Sequence, residues 1–134
     1  MIDTDGIIEV FIITNGRSTF PYCLNSVKSQ VGIKFKTTII SNKPWLEANL
    51  SILDKCKSKY FVRVDDDMLI HNRAIEFMNY VVANQKGDVG MRQWRLWEPY
   101  SNKVCKGIKI YTADVARKIG FRVNEIGKID KMFK

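Results

Sequence analysis

The fold is decided by one stretch of sequence, YFVRVDDD at residues 60–67. Its first five residues are aromatic or β-branched apart from Arg63, which is typical of a β-strand. Three consecutive aspartates, Asp65, Asp66 and Asp67, follow the strand directly. Because ligands of parallel α/β sheets bind beyond the carboxyl ends of the strands, we expect the three aspartates to lie at a binding edge.

The segments before this stretch alternate between the hydrophobic periods of strands and helices. The nearly continuous apolar run at residues 7–13 predicts a strand buried on both faces, and residues 35–40 predict a second strand. A helix capped by Ser18 is predicted between them, and another after Pro44. The apolar positions are Tyr22, Leu24 and Val27 in the first helix and Leu46, Leu50 and Leu53 in the second.

After the aspartates, the pattern continues with a helix, two strands and a short helix. Asn72 is placed to cap the first of these helices, whose apolar side carries Ile75, Met78 and Val82. The strands are predicted at residues 89–97 and 104–111, and the last helix ends at Gly120. The order βαβαβα followed by ββα predicts an α/β fold, with a mostly parallel sheet in a three-layer α/β/α arrangement.

Composition places the chain among globular single domains. Its 134 residues are 46% hydrophobic and 27% charged, which excludes a disordered or fibrous chain. The net charge is +8, and most of the excess falls in residues 91–134, with 11 Lys and Arg against 4 Asp and Glu. Such an excess indicates an anionic partner, such as a phosphate group, a nucleic acid or an acidic membrane surface, or else a solvated lysine-rich face.

The cysteines and the apolar runs indicate the cellular compartment in which the protein is expected. Cys23, Cys56 and Cys105 form no C-x-x-C pair, which argues against a disulfide framework and a structural zinc site and favours a reducing compartment. The first residues lack the form of a signal peptide, and no run approaches the roughly 20 apolar residues of a membrane span. We therefore expect a cytoplasmic protein that is at most peripheral to a membrane.

The three aspartates favour a divalent cation. Neighbouring carboxylates raise one another's pKa, and a bound cation relieves this repulsion. Side chains alternate along an extended chain, so Asp65 and Asp67 lean to one side and Asp66 to the other. Two oxygen ligands with open positions suit Mg²⁺ or Mn²⁺. The structural alternative is a helix N-cap or a solvated acidic turn.

The surroundings of the aspartates resemble a known family. Residues 65–76, DDDMLIHNRAIE, resemble the stretch around the D-x-D motif of GT-A glycosyltransferases, particularly family 2. Residues 10–17 and 24–30, VFIITNGR and LNSVKSQ, look like that family's first strand, nucleotide loop and L-x-S-V-x-x-Q helix. Residues 106–111 and Gly120-Phe121 resemble its acceptor-side strand and the G-F turn after it. The resemblance spans about residues 7–130.

The resemblance implies a single GT-A-like domain over residues 1–134, with a nucleotide-binding half at 1–88 and a short acceptor-side half at 89–134. The implied reaction is an inverting, metal-dependent transfer of a sugar from a nucleotide-diphosphate sugar. Asp67 and Asp65 would hold Mn²⁺ or Mg²⁺, and Asp130 would be the general base, with Glu125 as the other candidate. The residues implied to bind the nucleotide sugar are Thr14, Asn15, Arg17, Asn42, Asp65 and Asp66.

The sequence departs from the family pattern at some of these positions. The acidic pair that usually contacts the nucleotide base is replaced by Ser41-Asn42, although an amide can still hydrogen-bond a base edge. The usual proline before Thr14 is Ile13, and Met68 follows the aspartates where a further Asp is common. These differences bear on nucleotide preference more than on the fold.

Three other interpretations stay open. A GT-A-like chain without activity is one, because the acceptor-side half is short. A basic nucleic-acid- or anion-binding module is another, although the aspartates would repel phosphate and make a nucleic acid the weaker choice. A haloacid-dehalogenase-like phosphatase also carries D-x-D, but Leu69 stands where that family has Thr or Val. For a transferase, the basic last third predicts an anionic or lipid-linked acceptor.

Overall fold

A computed structural model describes residues 1–86, 89–98 and 103–120. Along the described chain, each of the first three helices is preceded by one or two strands. None of the helices in these ranges is long and apolar enough to cross a membrane. In chain order the elements are β1 Ile2–Asp3, β2 Ile8–Thr14, α1 Phe20–Lys28, β3 Ile33–Lys34, β4 Lys36–Ser41, α2 Trp45–Lys55, β5 Tyr60–Asp65, α3 Ala74–Asn84, β6 Met91–Glu98, β7 Lys103–Thr112 and α4 Ala113–Gly120.

The main sheet has the strand order β4-β2-β5-β7-β6. Strands β4, β2 and β5 are parallel, β7 is antiparallel to β5, and β6 is antiparallel to β7. Within the described chain, β7 is therefore the one reversed strand of this sheet. The short strands β1 and β3 form a separate parallel pair. The predicted mostly parallel sheet is confirmed.

Helices cover both faces of the sheet because successive residues of its strands point to opposite sides. On one face, Val10 and Ile12 of β2 belong to a buried cluster with residues of α1 and α3. On the other face, Phe11 belongs to a cluster with residues of α2 and α4. There, Phe61 of β5 stacks on Tyr111 of β7 with ring centroids 4.9 Å apart. The three-layer α/β/α arrangement is confirmed.

Two helix starts differ from the prediction. Thr19, not Ser18, is the N-cap residue of α1, because a turn from Arg17 to Phe20 comes first. Arg73, not Asn72, is the N-cap residue of α3, and a turn again precedes it. Neither cap residue makes a side-chain capping hydrogen bond.

The buried faces of two helices also differ from the prediction. In α1 the predicted Val27 is buried, but Tyr22 is 70% exposed, and Cys23, four residues before Val27 on the same face, is buried instead. In α2 the predicted Leu53 is buried together with Ala48 and Ile52, and the small side chain of Ala48 permits close approach to the sheet. Leu46 and Leu50 pack only partly buried beside this face. For α3 the predicted stripe of Ile75, Met78 and Val82 is buried and is confirmed.

Candidate active site

The candidate site lies where the three parallel strands end. Thr14 of β2 pairs with Ser41 of β4, and Ile13 pairs with Asp65 of β5, so the loops after these strands start side by side. The backbone N–H of Asn42 donates to the carbonyl of Thr14 at 3.1 Å. Asn42 has a φ of +58°, a left-handed conformation that Asn adopts more readily than most residues. This hydrogen bond connects the start of the loop after β4 to the end of β2.

Asp66 is the buried member of the acidic stretch and holds the loop after β2. Only 2% of the residue is exposed. Its carboxylate accepts a hydrogen bond from Thr14 Oγ1 at 2.7 Å and another from Arg17 Nε at 2.7 Å. The hydroxyl of Thr14 in turn accepts the N–H of Gly16 at 3.0 Å. One carboxylate therefore fixes a loop that lies about 50 positions earlier in the chain.

The ionisation of Asp66 is set by opposing effects. Burial acts to raise the pKa of its carboxyl, but the hydrogen bonds from Arg17 and Thr14, the charge of Arg17 and the N–H of Asn15 together hold that pKa below its ordinary value. Asp66 is therefore ionised at neutral pH. Both carboxylate oxygens already accept from protein donors, so Asp66 would influence a ligand through the loop that it positions.

Asp65 and Asp67 are exposed on either side of the buried Asp66, as the alternation of side chains in an extended chain predicts. Loss of surrounding water raises the pKa of the Asp65 carboxyl, and the charge of Asp67 adds to this, while Arg63 and Lys109 act to lower it. The carboxylate of Asp67 lies 3.6 Å from the guanidinium of Arg17. These two carboxylates can therefore face a ligand at the edge of the sheet.

The backbone of Asp65 is held in place from two sides. Its carbonyl accepts the N–H of Met68 at 3.0 Å, which closes a tight turn over the aspartates. The thiol of Cys23 on α1 donates to the same carbonyl at 3.4 Å. Burial, together with the charge of Asp66, raises the pKa of Cys23 to about 11, so this thiol stays protonated near neutral pH. Cys23 is fully buried and makes this hydrogen bond, so it contributes to packing.

The exposed carboxylates fit a hard divalent cation that takes most of its shell from elsewhere. Within residues 1–86, 89–98 and 103–120, no three His, Cys, Asp or Glu side chains form a group that could hold a metal ion. Asp65 and Asp67 offer two carboxylates, and the pKa of Asp65 is raised mainly by loss of surrounding water and further by the charge of Asp67. Mg²⁺ and Mn²⁺ commonly bind through one or two carboxylates and complete their shell with water and substrate phosphates.

Sequence reasoning missed two basic residues beside Asp65. Arg63 of β5 pairs with Lys109 of β7, and both act on the ionisation of Asp65. The signal was a charged residue inside an otherwise apolar strand, YFVRV in one case and GIKIY in the other. The pairing of these strands was not readable, because β7 approaches β5 from more than 40 positions further along the chain.

The structure brings the predicted site residues that it describes together at this edge. Asp130, the predicted general base, and Glu125, its alternative, lie outside the described residues. The predicted residues that meet at the ends of β2, β4 and β5 are Thr14, Asn15, Arg17, Asn42, Asp65, Asp66 and Asp67.

No family model and no curated protein sequence matches the chain. Some solved structures do match the chain in their fold. One is 4-diphosphocytidyl-2C-methyl-D-erythritol synthase from Anaerococcus prevotii DSM 20548, with a TM-score of 0.55 and 6% identity over 93% of this chain and 84% of that one. Another is S. aureus TarS 1–349, with a TM-score of 0.54 and 10% identity over 84% of this chain.

The chain shares its α/β fold, with a mostly parallel sheet, with these two proteins. The predicted GT-A-like α/β fold is thus confirmed. This chain spans 48% of the TarS chain, about half of its length. At 6% and 10% identity the likeness extends to the fold alone. The nucleotide, metal and acceptor predictions therefore stay predictions.

Proposed function

We propose that the chain is a metal-dependent glycosyltransferase that transfers a sugar, with inversion, from a nucleotide-diphosphate sugar to an acceptor. One observation carries the proposal. The buried carboxylate of Asp66 ties the loop after β2 to the end of β5, while Asp65 and Asp67 are left exposed beside it. A positioned loop next to two exposed carboxylates, in a transferase-like fold, suits a substrate that carries a diphosphate.

In this proposal Asp67 and Asp65 hold Mn²⁺ or Mg²⁺. Such an ion supplies Lewis-acid neutralisation of the diphosphate leaving group. Among the described residues, Arg17 is placed to meet a phosphate, because its guanidinium lies at the sheet edge beside Asp66 and Asp67 and its side chain is 59% exposed. Asp66 acts as a positioning residue, since it keeps Arg17 at the sheet edge.

The nucleotide would lie over the paired ends of β2 and β4. Thr14 and Asn15 begin the loop on one side, and Asn42 begins the loop on the other. The side-chain amide of Asn42 has both donors and an acceptor for a base edge. Replacing Asn42 by Asp is expected to change the preference among nucleotides while leaving the requirement for metal unchanged.

The general base is assigned to Asp130 on the resemblance of the sequence. An inverting transfer needs a carboxylate to take the proton of the acceptor hydroxyl. Asp130→Asn is expected to abolish transfer while donor binding persists, and Glu125→Gln is the matched control. Loss of donor binding in Asp130→Asn, or loss of transfer in Glu125→Gln alone, would contradict this assignment.

A second candidate is nucleotidyl transfer from a nucleoside triphosphate. It is favoured by the likeness of the fold to a synthase whose name describes a diphosphocytidyl compound, which covers 93% of this chain with a TM-score of 0.55. The two reactions release different products. Glycosyl transfer releases a nucleoside diphosphate, whereas nucleotidyl transfer releases pyrophosphate.

The test measures both products. The protein is incubated with Mn²⁺ and either a panel of nucleotide-diphosphate sugars or the nucleoside triphosphates. We expect nucleoside diphosphate to be released from at least one sugar donor, slowly to water when no acceptor is present. Asp67→Asn should remove this activity, and Asp54→Asn, which removes an exposed carboxylate of α2, should retain it. Release of pyrophosphate alone would favour the second candidate, and release of neither product would contradict both.

A further inference from the structure

Strand β4 forms an open edge of the main sheet. The strand order β4-β2-β5-β7-β6 places β4 at one edge and β6 at the other, and within the described ranges β4 pairs with β2 alone. Strand β4 has the sequence KTTIIS, with one charged residue at its start, no proline and an unbroken register against β2. An edge of this kind presents a row of backbone donors and acceptors to another strand.

The opposite edge carries the features that discourage such pairing. Strand β6 has the sequence MRQWRLWE, in which Arg92, Arg95 and Glu98 are charged. Its register against β7 also shifts between Gln93 and Arg95. Charged residues and bulges are the devices by which proteins protect the edges of their sheets. Of the two edges, β4 is therefore the one suited to pairing with another strand.

The outward backbone groups of β4 belong to alternate residues. The N–H of Asn42 donates to the carbonyl of Thr14, so the backbone at Asn42 faces β2. Backbone groups of successive residues point to opposite sides of a strand, so those of Thr37, Ile39 and Ser41 face away from β2. These residues offer N–H and carbonyl groups that no strand of the described chain takes up.

Strand β4 is self-complementary when a second copy lies antiparallel to it. The register that puts Ile39 opposite Ile39 of the second copy also puts Thr37 opposite Ser41, and Ser41 opposite Thr37. Facing residues of this type exchange both backbone hydrogen bonds, which gives about six bonds across the twofold axis. A shift of the register by two residues in either direction leaves about four.

The side chains favour the same register. Ile39 pairs with Ile12 of β2, which belongs to the cluster beneath α1 and α3, so Ile39 lies at the margin of that face and is 43% exposed. In this register the Ile39 side chains of the two copies cover each other at the axis. Lys36 lies opposite Asn42 of the second copy, so like charges do not face each other.

We propose that two copies of this chain pair antiparallel through β4 and form one continuous sheet about a twofold axis. The edge is six residues long. Interfaces that bury less than about 1,200 Å² are typical of weak complexes, so we expect the dimer to form between about 10 and 100 µM. The pairing brings Lys36 of the second copy to Asn42, beside the loop proposed to hold the nucleotide. Only this last consequence rests on the proposed function.

The experiment is sedimentation velocity of the full chain from about 5 to 300 µM, without nucleotide or metal, in about 0.15 M salt to screen the net charge of +8. We expect monomer to convert to dimer across this range. Ile39→Lys places two lysines face to face at the axis and should weaken dimerisation about tenfold or more. Gln93→Lys is the matched control, because it adds the same charge to the other edge.

Cross-linking tests the register. In a Cys105→Ser background, Ile39→Cys places thiols on residues whose Cα atoms lie about 5.5 Å apart, whereas Thr37→Cys places them roughly 14 Å apart. Cys23 and Cys56 are buried. A short thiol cross-linker should therefore join the Ile39→Cys chains and leave the Thr37→Cys chains single. Monomer throughout the concentration range, a dimer that Ile39→Lys leaves intact, or equal cross-linking of the two cysteine variants would overturn the proposal.

Discussion

The carboxylate of Asp66 is predicted to contribute to stability, and its neighbour Asp67 to function. Asp66→Asn keeps the shape of the side chain but removes the negative charge of the carboxylate, which accepts hydrogen bonds from Thr14 and Arg17. A hydrogen bond to a charged group contributes roughly 1.5–3 kcal/mol. The bond from Thr14 is buried, whereas the guanidinium of Arg17 is largely exposed and can turn to water. We therefore expect Asp66→Asn to lower the free energy of unfolding by about 2 kcal/mol, mostly through Thr14.

This loss of unfolding free energy corresponds to a lower melting temperature. Unfolding entropy is about 2.1 cal/mol/K per residue, so 2 kcal/mol corresponds to roughly 7 °C for a chain of this length. Asp67→Asn removes an exposed carboxylate next to the first, and surface changes of this kind stay within about 0.5 kcal/mol, or roughly 2 °C. Thermal unfolding followed by circular dichroism measures both variants under the same conditions.

The pH dependence provides a second check. The pKa of Asp66 is lowered on folding, so its contribution is present above the unfolded value near 3.9 and is lost as the pH falls through the folded value. The gap between the wild-type protein and Asp66→Asn should therefore be constant from about pH 5 to 8 and shrink below about pH 4. Equal midpoints for Asp66→Asn and Asp67→Asn would refute this account of the loop.

Three further predictions concern other ionisable side chains. Asp65→Asn should raise stability at pH 7 by roughly 0.5 kcal/mol, because loss of surrounding water raises the pKa of Asp65 and so penalises folding above that pKa; no gain at pH 7 would count against this penalty. Burial raises the pKa of Cys23 and Cys56 to about 11, so iodoacetamide at pH 8 should alkylate them at least 100-fold more slowly in the folded than in the unfolded chain, as measured by peptide mapping. Arg117→Met should cost about 1–2 kcal/mol in urea unfolding, because Arg117 donates to carbonyls at the end of α2, and an unchanged midpoint would show those bonds to be dispensable.

Local hydrophobic period predicted the elements well, because burial of one face or both leaves a direct mark on the sequence. The run at residues 7–13 predicted β2, which spans Ile8–Thr14, and the stripe from Ile75 to Val82 predicted the buried face of α3. Element ends were less readable. Several polar residues near the start of α1 could cap it, and the turn that decides between Ser18 and Thr19 depends on Arg17.

Contacts between distant segments could not be predicted from local pattern. The rotation of α2 depends on how closely Ala48 can approach the sheet, which is a property of packing. The alternation of residues 65–67 predicted that Asp66 would face away from its neighbours, but its partner Thr14 is 52 positions away. The irregular point of β6 between Gln93 and Arg95 likewise arises from strand pairing.

The most direct test of the proposed function is thermal unfolding with a panel of nucleoside diphosphates, with and without Mn²⁺. Binding adds about 2.7 kcal/mol at a ligand concentration 100 times Kd, which corresponds to roughly 10 °C for a domain of this size. We predict such a shift for at least one nucleotide only when Mn²⁺ is present, and its loss in Asp67→Asn. A panel that shifts nothing with Mn²⁺, or an Asp67→Asn protein that shifts as much as the wild type, would contradict the proposal.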